Sequence, residues 1–133
     1  LLRPLTSVRN DFEVRRNGTV ADRVTGLLWE QSGSEYPFTF AGASDYLAGL
    51  NQRRFADRSD WRLPTVDELS TLLRPVSHGE AICIDPVFDE RQKRIWSCDR
   101  RSFVAAWFVS IDLGFIGWEE RTALFHVRGV CSL

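Results

Sequence analysis

The sequence has no methionine, a single lysine at Lys93 and three cysteines, none of which forms a Cys-x-x-Cys pair. No apolar run approaches the roughly twenty residues of a membrane-spanning helix, so no membrane insertion is expected. Nothing in the first ten residues resembles a signal peptide. Because there is no initiating methionine, we expect the chain to be a processed or excised piece of a longer protein.

The charge and size of the chain also restrict its function. A formal net charge of -1 provides no overall attraction to nucleic acid, so no nucleic-acid partner is expected. The chain has 133 residues, 44% of them hydrophobic, with five tryptophans and nine phenylalanines. This is typical of one packed domain, which we place at residues 1–133.

The residues that carry metal and catalytic chemistry are few. His78 and His126 are far apart and in no ligand spacing, and phosphate-binding glycine loops are absent, so no metal, cofactor or catalytic residue is expected. The acidic pairs Asp89-Glu90 and Glu119-Glu120 favour solvated loop charges, with a calcium site as the alternative. The calcium motifs of sugar-binding lectins do not occur. We therefore expect a domain that is not an enzyme.

The first third of the chain has strand signals. Asn17-Gly18 predicts a tight turn between strands at residues 12–14 and 19–21. A second turn at residues 24–26 leads into an apolar run at residues 27–29, which is typical of a buried strand.

Two helices are predicted next. Phe40, Ala43, Leu47 and Leu50 recur at helical spacing after Thr39, which predicts a helix over residues 40–50 with Thr39 as its cap. The second helix begins at the capping box of Thr65 and Glu68 and is expected to end at Pro75.

The second half is predicted to contain a long loop followed by strands. Residues 76–94 lack a regular period and indicate the loop. Strands are predicted at residues 94–98, 102–111 and 122–130, with a turn over residues 112–118. The order of strands, two helices and strands predicts an α+β fold.

Three segments together resemble the bacterial family named for the C-terminal domain of the collagen-like adhesin Lcl. They are Gly18-Thr19-Val20-Ala21-Asp22-Arg23-Val24-Thr25-Gly26-Leu27-Leu28-Trp29, then Asp60-Trp61-Arg62-Leu63-Pro64-Thr65 with Glu68-Leu69, then Ile95-Trp96-Ser97 with Ala106-Trp107 and Val127-Arg128-Gly129-Val130. Their order and spacing fit the family over nearly the whole chain. One departure is Cys131, which stands where the family commonly has another arginine.

The resemblance implies a C-type-lectin-like fold, with two helices packed on a small, mainly antiparallel sheet, long loops and adjacent termini. The Arg-Leu-Pro-Thr turn before a helix with a glutamate is also similar to the formylglycine-generating enzyme superfamily. In this interpretation Trp61 and Trp96 are structural, as are Arg62 through a buried ion pair or backbone contacts and Thr65 with Glu68 through the cap.

A cluster of cations is the candidate binding site. It comprises Arg91, Lys93, Arg94, Arg100 and Arg101, which together suit an anionic polysaccharide or an acidic protein surface. The Lcl adhesin is associated with binding sulfated glycosaminoglycans, which supports this hypothesis by resemblance. The alternative is neutralisation by the acidic residues among these cations. Phe115 and Trp118 are candidate stacking residues, with core packing as their alternative.

The cysteines allow one internal bridge. A disulfide between Cys83 and Cys98 would tie the long loop to the following strand, and free thiols are the alternative. A reactive cysteine pair, as in an oxidoreductase of the formylglycine-generating type, is a third interpretation.

We therefore expect an extracytoplasmic recognition or adhesion module on a secreted, periplasmic or cell-surface protein, with an anionic glycan or a protein as its partner. The alternative is a structural module that supports homo-oligomerisation of a larger surface protein. A cysteine-dependent oxidoreductase is the remaining hypothesis.

Overall fold

The computed structural model describes residues 9–74 and 84–133 and confirms the α+β class. Its strands are β1 (Phe12–Val14), β2 (Thr19–Asp22), β3 (Leu27–Glu30), β4 (Arg94–Arg100), β5 (Ala105–Ser110), β6 (Phe115–Glu120) and β7 (Val130–Ser132). Its helices are α1 (Phe40–Gln52) and α2 (Val66–Ser70), with one 3-10 turn at Phe55–Asp57.

The strands form two antiparallel sheets, so the expectation of one sheet is wrong. One sheet has the order β1-β2-β3-β7 and the other has the order β4-β5-β6. The first and last strands belong to the same sheet but lie at its two edges. The sequence pattern identifies strands without identifying their partners, and β7 returns to β3 instead of extending the second sheet.

The predicted hairpin and buried strand are both confirmed. Val14 pairs with Val20 across the first turn, where Gly18 adopts a φ of 84° that favours glycine. All four residues of β3 are buried, since Leu27 and Trp29 pack in one core cluster and Leu28 packs in the other.

The first helix is confirmed, and it extends two residues beyond the predicted end. Thr39 caps it by accepting a hydrogen bond from the Gly42 amide at 3.1 Å. The four apolar residues with helical spacing are all buried, which fixes the face that α1 packs against the sheets.

The second helix begins as predicted but ends earlier. Thr65 Oγ1 accepts from the Glu68 amide, and a Glu68 carboxylate oxygen accepts from the Thr65 amide, which completes the capping box. The Ser70 and Thr71 hydroxyls donate to backbone carbonyls at Val66 and Glu68, at 2.8 and 2.6 Å. Such side-chain bonds compete with the helical ladder, and α2 ends at Ser70 rather than at Pro75, which lies outside the described residues.

Residues 62–64 join the two sheets. Arg62 exchanges two 3.0 Å backbone hydrogen bonds with Val130 of β7, and the Pro64 carbonyl accepts from the Cys98 amide of β4 at 2.8 Å. The signature segment before α2 therefore connects a strand of one sheet to a strand of the other.

The turn predicted at residues 112–118 is shorter than expected. It closes at Gly114, which has a φ of 72° and donates to the Ser110 carbonyl at 2.9 Å, and β6 begins at the next residue. A Cβ at Gly117 would lie 3.0 Å from the Phe108 ring. Gly117 thus permits close packing within the sheet and is a strand residue, although a turn was predicted there.

The last strand is also misplaced by the sequence analysis. Regular pairing is confined to β7, whereas Phe125 and His126 form only isolated bridges, to Phe38 and Ile95. The apolar run before them is only partly interior, since Leu124 is 60% exposed. The residues of this run have high β-propensity, but here the chain crosses between the two sheets and forms no regular strand.

The core consists of two clusters on opposite faces of the second sheet. Ile95 and Val109 pack with Leu69 and Leu72 from the α2 region. Trp96, Phe108 and Ala106 instead pack with residues from α1 and the signature segment, which are Phe40, Ala43, Leu47, Leu50, Trp61 and Leu63. Both faces of the sheet are therefore covered along β5 and the first half of β4, whereas β6 is largely exposed.

Arg128 is fully buried and holds the long loop against the first sheet. Its guanidinium donates to the carbonyls of Glu30 at 2.7 Å, Gln31 at 2.5 Å and Asp89 at 2.9 Å. Burial lowers its pKa to about 10, and the Phe88 ring lies 5.0 Å away. Residues 84–93 therefore follow a fixed path, although they form no helix or strand, as expected.

Candidate functional site

The strand β4 divides the five predicted cations into two groups. Arg91, Lys93 and Arg94 lie before or at its start, and Arg100 and Arg101 lie at its end. Five residues of β4 lie between Arg94 and Arg100, so the two groups are at opposite ends of the strand, at most roughly 20 Å apart along it. The five cations do not form a single patch.

The group at the start of β4 is partly neutralised. Arg91 forms an ion pair with Asp89 at 2.6 Å, and this arginine holds the pKa of the Asp89 carboxyl below its usual range. Lys93 and Arg94 are exposed. The alternative of local neutralisation therefore applies at Arg91.

A predicted cation and a predicted stacking residue meet at the far end of β4. Arg101 lies over the Trp118 ring, 4.1 Å from its centroid, and Trp118 is 47% exposed. Trp118 pairs across the sheet with Trp107. Phe115 lies at the other end of β6 and packs edge-on against Phe108 at 5.9 Å, so it does not join Arg101.

A third arginine belongs to the same region and was missed by the sequence analysis. The guanidinium carbons of Arg100 and Arg121 lie 5.7 and 5.0 Å from the centroid of the Phe40 ring. Arg121 directly follows Glu119-Glu120, and nothing in the local sequence distinguishes it from an ion-paired surface arginine. Only the fold brings it to the end of the second sheet.

Arg100, Arg101 and Arg121 are here called the arginine cluster. Within residues 9–74 and 84–133, none of the three forms an ion pair with a carboxylate. In contrast, Arg23 and Arg62 form such pairs, with Glu13 and Glu68. The cluster is held by aromatic rings instead, which leaves guanidinium donors for an external anion.

Two clefts open beside the cluster. One, of about 430 Å³, is lined by Arg100 together with Cys98 and Arg62. The other, of about 510 Å³, is lined by Arg121 together with Phe103 and Val104. The two arginines that flank the Phe40 ring thus reach different clefts.

The predicted structural residues surround the first cleft and the core. Trp61 is buried and donates from Nε1 to the Phe55 carbonyl at 2.9 Å, and the buried Trp96 donates to the Phe38 carbonyl at 2.8 Å. Arg62 and Glu68 form a bidentate pair with both distances 2.7 Å. The pair lies at the surface rather than in the interior, because the Arg62 side chain is 44% exposed.

The Arg62 hydrogen bonds set the ionisation of Glu68. They hold the pKa of the Glu68 carboxyl below its ordinary value, although burial opposes the shift. This carboxylate also accepts from the Thr65 amide, so one side chain both caps α2 and fixes Arg62 at the cleft.

The predicted disulfide is not formed at Cys98, which is a free and exposed thiol, while Cys83 lies outside the described residues. Cys131 is also free, and it is buried. Burial raises the pKa of the Cys131 thiol to about 11 and also raises that of Cys98. Nucleophilic thiols have a lowered pKa, whereas the shift at both described cysteines is in the opposite direction.

The described residues contain neither a metal-binding cluster nor a membrane-spanning helix. No group of three or more His, Cys, Asp or Glu side chains there is arranged to hold a metal ion. In the same part of the chain, no helix has the length and apolar character needed to cross a membrane.

Comparison with known proteins identifies the family. A search of the curated proteins gives no match. The sequence profile of the Lcl C-terminal domain, however, matches residues 18–131. This range contains all three members of the arginine cluster and residues 62–64, which join the sheets. The chain belongs to the Lcl C-terminal domain family.

Proposed function

We propose that this chain is an extracytoplasmic recognition module that binds an anionic glycan, or an acidic protein surface, at the arginine cluster. The observation that carries the proposal is that Arg100, Arg101 and Arg121 lie on aromatic rings without a carboxylate partner among the described residues. A binding role, rather than a catalytic one, agrees with the raised pKa values of Cys98 and Cys131.

Sulfated or carboxylated sugars suit this chemistry. A planar guanidinium donates two parallel hydrogen bonds to a sulfate or carboxylate group, and aromatic contacts keep Arg100 and Arg101 oriented before the ligand arrives. The exposed part of Trp118 adds an apolar surface for a sugar ring. Because the net charge is only -1, attraction is expected to be local and strongly reduced by salt.

A C-type-lectin-like fold, related to the formylglycine-generating enzyme superfamily, is part of the proposal. It is supported by two helices on antiparallel sheets and by first and last strands that share one sheet. The Arg-Leu-Pro-Thr turn at residues 62–65 leads into a helix whose Glu68 closes the cap. Placement in a secreted, periplasmic or cell-surface protein follows from the resemblance to the adhesin.

Heparin chromatography tests the proposal with a charge-matched control. The variant Arg100→Ala/Arg101→Ala removes two cations that have no acidic partner in the described part of the chain. The control Arg15→Ala/Arg23→Ala removes two cations that are paired with Glu13 on the first sheet. We expect wild type and control to bind at low salt and elute together, and the cluster variant to elute earlier. Absence of retention at low salt, or equal elution of both variants, would refute glycan binding.

A second function is favoured by the exposed edge of the second sheet. Strand β6 pairs only with β5 among the described residues, and Phe115 and Trp118 on it are 39% and 47% exposed. Such an edge is a template for pairing with another chain. We propose as the alternative a structural module that supports oligomerisation of a larger surface protein. Light scattering tests this directly, since a monomer at all accessible concentrations would exclude it.

A further inference from the structure

The cleft of about 430 Å³ beside Arg100 is framed by three parts of the fold. Residues 61–63, before α2, form one wall, and the end of β4 at Cys98 and Arg100 forms another. The third wall is a face of α1, whose lining residues recur at helical spacing and are Phe40, Ser44, Leu47, Ala48 and Asn51. This volume lies within the range of about 300–1,000 Å³ that is typical of small-molecule sites.

Hydrogen bonds hold these walls together. The Asn51 side chain accepts from the Trp61 amide at 2.7 Å and donates to the Trp61 carbonyl at 2.9 Å, which ties α1 to the segment before α2. The Cys98 amide donates to the Pro64 carbonyl at 2.8 Å, which ties that segment to β4. The cleft is therefore formed before a ligand arrives, as small-molecule sites usually are.

The lining of this cleft has positive charge only. Among the described residues that line it, the charged ones are Arg62 and Arg100, and none is a carboxylate. Glu68 lies outside the lining and balances Arg62, so the uncompensated charge is that of Arg100. Asp99 directly precedes Arg100 but does not line the cleft, because its carboxylate accepts from the Val66 amide at 2.7 Å.

The remainder of the lining is mainly apolar. Phe40, Leu47 and Leu63 reach the cleft from the core, and Ala48 is exposed at its side. The Asn51 side chain is already hydrogen-bonded to the backbone, so sugar hydroxyls placed here would lose water without gaining enough partners. The lining instead matches an apolar group that carries an anion.

We infer that this cleft binds a small organic carboxylate with an apolar body, such as an arylalkanoic acid. The carboxylate accepts hydrogen bonds from Arg100, whose guanidinium carbon is held 5.7 Å from the Phe40 ring centroid. The apolar body lies against Leu47, Ala48 and Leu63. The inference goes beyond the proposed function, because the ligand is a small molecule in a cleft, and it does not depend on glycan binding.

The test uses phenylbutyrate as the probe and two matched compounds as controls. Phenylbutanol keeps the apolar body without the charge, and acetate keeps the charge without the body. In an NMR titration, phenylbutyrate should shift the amide resonances of Ala48 and Cys98 saturably, with a Kd below roughly 1 mM. Binding of either control as tightly as phenylbutyrate, or no saturation by phenylbutyrate, would overturn the inference.

Charge variants locate the anion. Arg100→Gln should raise the Kd for phenylbutyrate about tenfold, because it removes the guanidinium that binds the carboxylate. Arg94→Gln is the matched control, since Arg94 is an exposed cation at the other end of β4, and it should leave the Kd unchanged. Equal increases in the two variants would show that the probe follows surface charge, and the inference would be wrong.

Filling the cleft separates this site from the proposed glycan site. Ala48→Trp should abolish phenylbutyrate binding, whereas Ala41→Trp, which adds the same side chain at the other cleft on the same helix, should not. Because Ala48→Trp changes no charge, its heparin retention should equal that of wild type. Phenylbutyrate binding that survives in Ala48→Trp would contradict the inference, whatever the outcome of heparin chromatography.

Discussion

Arg101 stands over the ring of Trp118, with 4.1 Å between the guanidinium carbon and the ring centroid. Arg101 directly follows β4, Trp118 lies in β6, and the two residues are 17 positions apart by their numbers in the sequence. The contact orients a cation that has no carboxylate partner among the described residues. The position of the Arg101 guanidinium therefore depends on the Trp118 ring.

Removal of the Trp118 ring should weaken heparin binding at Arg101. We expect Trp118→Ala to raise the Kd for heparin roughly two- to fivefold, because an exposed cation–π contact of ~0.5–1 kcal/mol no longer orients Arg101. Tyr36→Ala is the control, since Tyr36 is an exposed aromatic residue outside the cluster. Isothermal titration with a heparin fragment measures both. Identical Kd values for the two variants would contradict a role for the ring.

Asp22 should make stability depend on pH at the acid end. Its carboxylate accepts from the amides of Asp11 and Val24, from the Asn10 side chain and from the Thr25 hydroxyl. Burial raises its pKa, but these hydrogen bonds outweigh burial and the pKa is lowered overall. The Asp22 carboxylate therefore stabilises the fold at pH values above its unfolded pKa of about 3.9, and this stabilisation is lost as the pH falls through its folded pKa.

The variant Asp22→Asn tests this pH dependence of stability. We expect a loss of about 1–3 kcal/mol in the free energy of unfolding at pH 7, because the amide cannot accept all four hydrogen bonds. The difference from wild type should shrink as the pH is lowered. Asp45→Asn, at an exposed position of α1, is the control for urea denaturation. A difference that stays constant with pH would count against the prediction.

Two glycines with similar backbone angles should respond differently to alanine. Gly26 and Gly33 have φ values of 72° and 77°. A Cβ at Gly26 meets nothing within 4 Å, whereas a Cβ at Gly33 would lie 2.8 Å from the Val127 carbonyl oxygen.

Gly26→Ala should therefore cost about 1–2 kcal/mol from the left-handed backbone alone. Gly33→Ala should lower the free energy of unfolding by clearly more, because the backbone must also move. Equilibrium unfolding in urea compares the two variants with wild type. Equal losses would show that the close approach has no energetic effect.

Cys98 should be the more accessible of the two described thiols. Burial, followed by the charges of Asp99 and Glu68, raises its pKa, so alkylation by iodoacetamide should be slow and should accelerate with rising pH. Cys131 is buried and should react only in denaturant. Peptide mass spectrometry after native labelling distinguishes the sites, with Cys98→Ser as the control. Labelling of Cys98 only after addition of a reductant would indicate a disulfide instead.

Elements with short-range signals were predictable from the sequence. The turn at Asn17-Gly18 and the capping box of Thr65 and Glu68 each lie within four residues, and their chemistry determines the local backbone. The ends of elements were less predictable. Residues 122–130 have the composition of a strand, but pairing depends on where the chain crosses between sheets.

The candidate site was predictable only in part for the same reason. Arg100, Arg101 and Trp118 were identified by residue type. Arg91, Lys93 and Arg94 were grouped with them from the sequence, but these three lie before or at the start of β4 and Arg100 lies at its end. Arg121 could not be found, since its contact with Phe40 joins positions 81 apart by their numbers in the sequence.

The hydrogen bonds at residues 62–64 couple the local unfolding of the two sheets. The amide of Val130 is bonded to Arg62 and the amide of Cys98 is bonded to Pro64, so withdrawal of this short segment breaks contacts with both sheets at once. The amide protons of Val130 and Cys98 should therefore exchange with deuterium at matching rates, as members of one cooperative unit. The arginine cluster at the end of β4 would then be lost together with the first sheet.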